Sequence, residues 1–556
     1  MILGIDVGGT HTDAVLIDRF RVVKKVKVPT EGENLRASLQ EATRSLLDRL
    51  SGDAVQRVVM STTLSTNAIV QNKIDRVGMA LLSGPGLAPA LMELPENTCL
   101  LKGYVNHRGI EISPGDPGEA LRIAEVFQAQ GITHAGVVGK FSARNPGQEI
   151  AVAKALETRE LHVSLGHRMS GHLNFPRRIE TTYLNEAIGD LYRRFATDVL
   201  RFVREQRMTA PIYILKADGG TFDIERSLEF PVQTILSGPA ASVMGIMTMT
   251  GACEDAIALD IGGTTTDIAL FADGVPLFEP FGLTIEGRKT LIRGMRTRSI
   301  GIGGDSAVRL QGKTLSIGPD RVGPAAAFGG PLPTPTDAMV VLGLTAIGDG
   351  DRAAASLRPL ACARRESLAE TAAQIFGDTC ASIALQVRAF IDEINNQPVY
   401  TIHELLEGKQ LRPRLLYVVG GPAQPMAAEL GRLLECEPRI PAHAEVANAI
   451  GAALARTTAE LTLLADTERR MLSIAEEGIQ LPIPHGFTSS DAIRLGKEKL
   501  RAKVLQMGGG EEALAIEVVE VQEFNMVREC STAGKNIRVK VQIKPGAIAG
   551  LMQEAR

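Results

Sequence analysis

The chain has no tryptophan, and aromatic residues make up 4% of its 556 positions. Base-stacking platforms and the aromatic belts of membrane interfaces therefore lack raw material. Sixty basic residues against 64 acidic ones leave a net charge of −4, so no basic excess advertises a nucleic-acid partner. The six cysteines, at 99, 253, 362, 380, 436 and 530, contain no CxxC pair. That spacing signals neither a redox dithiol nor a zinc knuckle and suits free thiols in a reducing, cytoplasmic setting. No basic segment followed by an apolar core opens the chain, so no signal peptide is expected. One stretch, Phe230 to Cys253, carries no charge. Its two prolines, three glycines and many Ser/Thr argue against the roughly 20 predominantly apolar residues a membrane span needs, and favour a strand end, a turn and a buried helix. A 44% apolar, 22% charged composition is that of a globular protein, and the length predicts about three or four domains.

What is present is a duplication. Gly4-Ile-Asp-Val-Gly-Gly-Thr-His-Thr-Asp is echoed by Leu259-Asp-Ile-Gly-Gly-Thr-Thr-Thr-Asp. Asp6 aligns with Asp260, Gly8-Gly9-Thr10 with Gly262-Gly263-Thr264, Thr12 with Thr266 and Asp13 with Asp267. The copies are too far apart for a solenoid period and suit a duplicated domain with a site between its halves. Each reads as a β-hairpin, followed by a third strand near Val22–Val28 or Val275–Phe278. Apolar spacing predicts a helix near Glu33–Leu50. Strands and helices then alternate. We expect helices over Glu119–Gln130, Gln148–Thr158, Arg178–Arg207 (long and amphipathic) and Glu445–Leu464. Strands are expected at Val77–Leu82, Thr133–Gly139, Ile212–Lys216 and Leu415–Val419. Gly323–Pro335 reads as an ordered loop. After about Gln480 a helix near Ser490–Gln506 and strands near Leu514–Val521 and Asn536–Ile543 suggest a small appended unit. The fold class is α/β.

A Gly-Gly turn between strands exposes backbone N–H groups that can wrap an oxyanion, and threonine hydroxyls add donors. An aspartate at the end of the first strand repels phosphate but can hold Mg²⁺ or its waters. Two such turns could clamp a triphosphate from both sides, and phosphoryl transfer is largely positioning and charge neutralisation. Asp13 and Asp267 either orient a threonine or a metal-bound water, or cap the turn. Competing motifs fail. Gly282 to Thr290 nearly spells a P-loop, but Lys289 comes one residue late. His403-Glu404-Leu-Leu-Glu407 lacks the second histidine of a zincin. His162, His167 and His172 share neither a helical nor a strand face and read as structural. No GxSxG elbow is present.

The paired DVGGTHTD and DIGGTTTD hairpins resemble the phosphate elements of the actin/sugar kinase/Hsp70 ATPase superfamily. More narrowly, the chain from Met1 to about Leu464 resembles the A subunit of the ATP-dependent hydantoinase/5-oxoprolinase family, which includes acetone-type carboxylase subunits. The landmarks lie in order: Ser61-Thr-Thr-Leu-Ser-Thr-Asn67, Phe141-Ser-Ala-Arg-Asn145-Pro146, Glu180 to Asn185, Asp218-Gly219-Gly220, Thr234-Ile-Leu-Ser-Gly238-Pro, Gly301 to Ser306, Pro335-Thr-Asp337 and Val419-Gly420-Gly421-Pro422. The chain departs from the pattern in a shortened stretch between Val322 and Asp337 that lacks the usual cysteine. Asp305 replaces a glycine, and the tail after Gln480 is unlike the usual family C-terminus. Gly238 lies where an Hsp70-type ATPase carries a catalytic glutamate, so a chaperone ATPase is not expected.

The resemblance implies two ribonuclease H-like lobes around a nucleotide cleft, at 1–175 and 176–470, with a C-terminal α/β unit at 480–556. It implies ATP and Mg²⁺ as cofactors and phosphorylation of the carbonyl oxygen of a small cyclic amide, which water then opens. Asp6 and Asp260 are assigned to the metal, with Asp13 and Asp267 beside them as catalytic candidates. Gly8, Gly9, Thr10, His11, Thr12, Gly238, Gly262, Gly263, Thr264, Thr265, Gly420 and Gly421 are assigned to nucleotide. Thr63, Asn67, Asn185, Asp218 and Gly219 are assigned to the substrate side. Helices starting near Asn67 and Ala240 are expected to point positive ends at the cleft. Expected partners are the small cyclic amide or carbonyl substrate, a hydantoinase B-like subunit and an oligomer, without nucleic acid or membrane. An acetone-type carboxylase subunit, a metabolite kinase and an ATP-driven conformational switch stay open as alternatives.

Overall fold

The structure is a computed structural model and describes residues 1–30, 35–44, 46–47, 54–86, 92–251, 254–312, 314–396, 410–507, 509–510, 515–528 and 531–548. Both predicted hairpins form. Ile2–Val7 pairs antiparallel with His11–Asp18, and Ala256–Ile261 with Thr266–Ala272. Around each, a sheet grows by the same plan. In the first, the order is Thr221–Asp223, Ile212–Leu215, Arg57–Thr62, Ile2–Val7, His11–Asp18, Arg21–Pro29. In the second, Val275–Pro276, Thr266–Ala272, Ala256–Ile261, Leu415–Val419 and Glu437–Arg439 lie side by side, and Thr297–Ile300 also pairs with Thr266–Ala272. In both, the first hairpin strand has an antiparallel partner on one side and a parallel one on the other. This is the ribonuclease H-like plan, present twice. A third, all-parallel sheet (Thr98–Leu100, Val77–Leu82, His134–Gly139, His162–Leu165) is inserted in the first half.

Two helices cross between the lobes. Ser237–Thr250 is buried along nearly its whole length, which explains why Phe230 to Cys253 carries no charge. It packs on Ala447–Leu454 so closely that a side chain on Gly245 would collide with the Ala447 carbonyl, and one on Gly451 with the Ala241 carbonyl. Among the described residues, no helix is long and apolar enough to cross a membrane.

Three expected elements differ. The helix over Arg178–Arg207 is two helices, Phe175–Ala187 and Gly189–Glu205. The Ala187 carbonyl is taken by the Asp75 N–H at 2.8 Å, which interrupts the helical ladder before Gly189. The helix over Glu445–Leu464 is a 3₁₀ turn at Ala444–Val446 and a helix at Ala447–Leu454; Glu460–Asp466 is a strand. The Ala455 backbone is extended, and Thr458 N–H donates to the Thr221 carbonyl at 3.0 Å, so pairing overrides apolar spacing. The Gly323–Pro335 loop contains a 3₁₀ turn at Ala326–Phe328. The predicted Glu33–Leu50 helix is described over Leu35–Arg44, its expected ends lying outside the described residues, as do His403–Glu407.

Two strand sets cross the expected domain limits. Ile212–Leu215 and Thr221–Asp223 belong to the first sheet, and Glu460–Asp466 joins the C-terminal sheet through Ser531–Ile543. The C-terminal sheet and its helix Ser489–Gln506 share one apolar core with the first lobe, where Leu3, Ile5 and Tyr192 meet Leu463, Leu500 and Val539. It is thus packed into the body of the protein.

The helix crossing generates a prediction. Gly451→Val should force the helices apart and cost about 1–3 kcal/mol, the usual penalty of overpacking. A thermal midpoint within a degree of the parent chain would show that the crossing tolerates a side chain there.

Candidate active site

The two Gly-Gly turns have the same geometry. Gly8 N–H donates to the His11 carbonyl at 3.0 Å, and Gly262 N–H to that of Thr265 at 2.9 Å. Each hairpin register sets two aspartates opposite one another, Asp6 with Asp13 and Asp260 with Asp267. The hydroxyls of Thr10, Thr264 and Thr265 have no hydrogen-bond partner among the described residues, whereas buried Thr12 is tied to Thr30 at 2.9 Å.

Side chains link the first-strand carboxylates across the lobes. Ser61 Oγ donates to Asp6 Oδ1 at 2.6 Å, and Asn448 Nδ2 to Asp6 Oδ2 at 3.4 Å. Ser242 Oγ lies 3.0 Å from Asn448 Oδ1 and 2.5 Å from Asp260 Oδ2. One hydroxyl hydrogen cannot serve both acceptors, so the bridge is short of a proton donor when both carboxylates are ionised. The shortage fits the electrostatics. Burial pushes the Asp6 carboxyl up to about 7, Asp13 and Asp260 add to the rise, and the Ser61 hydrogen bond opposes it. Asp13 rises to about 6 through burial, held back by Lys27 Nζ at 2.7 Å. Asp267 has no such cation and rises to about 7, from burial and the Asp260 charge, opposed by Ser299. A carboxylate-rich, oxygen-only donor set held off its preferred ionisation suits a hard divalent cation.

The strand ends supply the rest. Thr63 N–H donates to the Val7 carbonyl at 3.2 Å, and Asn67 Nδ2 to Thr63 Oγ1 at 3.2 Å. A Cβ on Gly9 would lie 3.2 Å from Asn67 Nδ2, and one on Gly238 2.8 Å from Thr63 Cγ2. Thr63 and Asn67 are thus brought to the first turn together with Gly238. The helices expected near Asn67 and Ala240 begin three residues earlier, at Leu64 and Ser237. Gly420, at φ +96°, has room for no Cβ because Asp260 Oδ1 would sit 2.8 Å away, while Gly421 faces open space. Asp305 N–H donates to the Gly263 carbonyl at 2.7 Å, and its carboxylate meets Arg321 at 3.2 Å. His11 drops to about 4 through partial burial and the nearby Lys27 and Arg321 charges.

Three assigned substrate residues lie elsewhere. Asn185 is buried with its amide fully engaged, donating to Ser164 Oγ at 2.9 Å and the Glu229 carbonyl at 3.0 Å and accepting from Val232 N–H at 3.2 Å. It holds the chain in place. Gly219, at φ +76°, is packed against Met244 and Met295, and Asp218 is buried beside Lys216. Of the three spaced histidines, His167 is buried against Glu149 at 2.5 Å and His172 lies 3.0 Å from Arg538, both within the protein framework. Sequence reasoning missed Ser61, Ser242, Asn448, Lys27 and Arg321 as members of the site. Ser61 opens one of the landmark stretches and Lys27 lies in the expected third strand, but neither position marks a site by itself; the others carry no local motif.

Two ribonuclease H-like sheets joined by a carboxylate-lined cleft place the protein in the actin/sugar kinase/Hsp70 class. Comparison with known proteins is narrower. The hydantoinase/oxoprolinase family matches residues 178–461, and that family's N-terminal region matches residues 2–159. The chain belongs to the hydantoinase/oxoprolinase family. It is 24% identical over 383 residues to caprolactamase subunit alpha of Pseudomonas jessenii, covering 62% of this chain and 55% of that protein. It is 25% identical over 397 residues to 5-oxoprolinase 1 of Arabidopsis thaliana, covering 61% of this chain and 31% of that one. The chain therefore spans about half or less of these two relatives. Nucleotide-free acetone carboxylase superposes with a TM-score of 0.76 at 17% identity, covering 100% of this chain and 88% of that one. That superposition takes in the tail after Gln480.

The raised aspartates give a pH prediction. In the chain without metal or nucleotide, folded Asp267 keeps a proton that the unfolded chain releases above its ordinary value of 3.8. Its contribution to stability is full below about pH 4 and is lost as pH rises through about 7. The thermal midpoint of Asp267→Asn minus that of the parent should therefore grow across this window. A pH-independent difference would show that Asp267 ionises normally.

Proposed function

We propose that the chain is an ATP-dependent enzyme subunit that activates a small cyclic amide for ring opening. The observation that carries this reading is the Asp6–Asn448–Ser242–Asp260 bridge, which sets two phosphate-type turns on one cleft. Backbone N–H groups of the turns, the free hydroxyls of Thr10, Thr264 and Thr265, and the Arg321 cation would hold the phosphates. Gly420 and Gly421 would let the adenosine approach closely. Asp6 and Asp260 would hold Mg²⁺, which neutralises phosphate charge.

A lactam resists hydrolysis because its amide is resonance-stabilised and expels a poor leaving group. Transfer of the γ-phosphoryl group to its carbonyl oxygen gives an activated imidate that water can open. Thr63 and Asn67, beside the first turn, are the side chains placed to orient a substrate there. Among the described residues, the cleft shows no histidine, cysteine or serine arranged as a hydrolytic nucleophile with its base. That supports a partner subunit, as the multi-subunit relatives do, completing the reaction in the cytoplasm.

Asp6→Ala or Asp260→Ala should lower Mg-ATP turnover at least a hundredfold, the order expected when transition-state charge loses its neutralising partner. Calorimetry with Mg-ATP and a circular-dichroism spectrum separate lost binding from lost fold. Full turnover in the double variant would remove the assignment. ATP hydrolysis assayed with a candidate B-type subunit should respond to lactams, hydantoins or oxoproline. A response to ketones and bicarbonate alone would favour the carboxylase reading, and a stable phosphorylated product the kinase.

A further inference from the structure

Behind the strand ends lies a second cavity, of about 90 Å³, which the carboxylate cleft does not include. Lys216 and Asp218, from the turn that ends the Ile212–Leu215 strand, line it. That strand lies two places from Ile2–Val7 in the same sheet, or roughly 10 Å at ordinary strand spacing. Leu291–Arg293 also line the cavity, as do Ala459, Glu460, Lys503 and Met507 from the C-terminal part of the chain. Phe222, Phe230 and Val232 supply apolar lining among eight charged side chains.

The polar groups decide what would bind. The lining charges are already compensated. Asp218 accepts from Gly220 N–H at 2.9 Å and Thr458 Oγ at 3.3 Å and pairs with Lys216 at 3.4 Å; Glu460 meets Lys540 at 2.9 Å; Lys503 meets Glu477 at 2.6 Å. An ionic ligand would therefore disturb pairs that are satisfied without it. Two groups retain capacity. The Lys216 ammonium, with its side chain 9% exposed, spends two of its three hydrogens, on Asp218 and on the Thr458 carbonyl at 3.1 Å. The Gln233 carboxamide makes no hydrogen bond among the described residues, and its backbone carbonyl accepts from Ala217 N–H at 2.9 Å, which fixes it beside Lys216.

We infer that this cavity is a binding site for a small neutral amide, whose carbonyl accepts from Lys216 and whose N–H donates to Gln233. The inference rests on the proposed lactam chemistry for its biological sense, but not for its test. The volume limits the ligand to a handful of heavy atoms, being smaller than the apolar cavity of about 150 Å³ that takes up benzene. The C-terminal unit then has a role: it closes the pocket.

Ligand-observed NMR on the whole chain can use acetamide and N-methylformamide as amides, and acetone as a carbonyl compound without an N–H. Saturable binding of all three is expected, with both amides ahead of acetone. Gln233→Leu should weaken the amides about tenfold, the cost of one hydrogen bond, and leave acetone within about twofold. Lys216→Met should weaken all three about tenfold. Met507→Trp, which fills the cavity from the C-terminal side, should abolish binding. Thermal midpoints of the variants report on folding. Absence of saturable binding to the parent chain, or binding indifferent to all three substitutions, overturns the inference. Mg-ATP calorimetry on the same samples reports separately on the carboxylate cleft, so either reading can fail alone.

Discussion

Two carboxylates on different lobes, buried Asp6 and half-buried Asp260, cannot be brought together without compensation, and the architecture is arranged around that constraint. Like charges this close repel, and burial removes the water that would screen them. The protein answers with Asn448 and Ser242 between the lobes and Ser61 behind Asp6. It sets Ser242 and Asn448 on two helices that cross with backbone almost touching backbone, and Ser61 on the neighbouring strand. Gly245 and Gly451 permit that approach, so the spacing of the carboxylates depends on residues that carry no chemistry.

The two halves use the same hairpin with different electrostatic support. In the first, Asp13 has the Lys27 cation from the neighbouring strand. In the second, Asp267 has a serine. The first turn is overlooked by a histidine held neutral, the second by the Asp305–Arg321 pair. Duplication thus supplied symmetric backbone, and later side chains made the halves unequal. An asymmetric ligand such as a nucleotide requires inequality of that kind. Asp305 anchors the Arg321 cation at the cleft.

Much of this was legible because local rules govern it. A Gly-Gly step between alternating apolar segments can only be a tight turn, and two matched copies announce a shared site. The failures have a different cause. The break at Ile188 arises because a loop N–H from Asp75 captures a helix carbonyl, and the early end of the Ala447–Leu454 helix because Thr458 pairs with a distant strand. Asn185 and Gly219 sit in recognisable motifs, yet both are framework residues. A motif records that a residue is needed and leaves open whether it is needed for contact with a ligand or for packing.

The amino-acid sequence by itself determined the hairpins, the α/β class and the aspartates at the strand ends, since each follows from residue type and short-range spacing. Tertiary structure alone decided which side chains bridge those aspartates, that the C-terminal unit shares a core with the first lobe, and that Lys216 and Gln233 face one cavity. Ser242 and Asn448 are 206 residues apart and meet only when two helices cross. Nothing in the neighbourhood of either residue along the chain encodes that meeting.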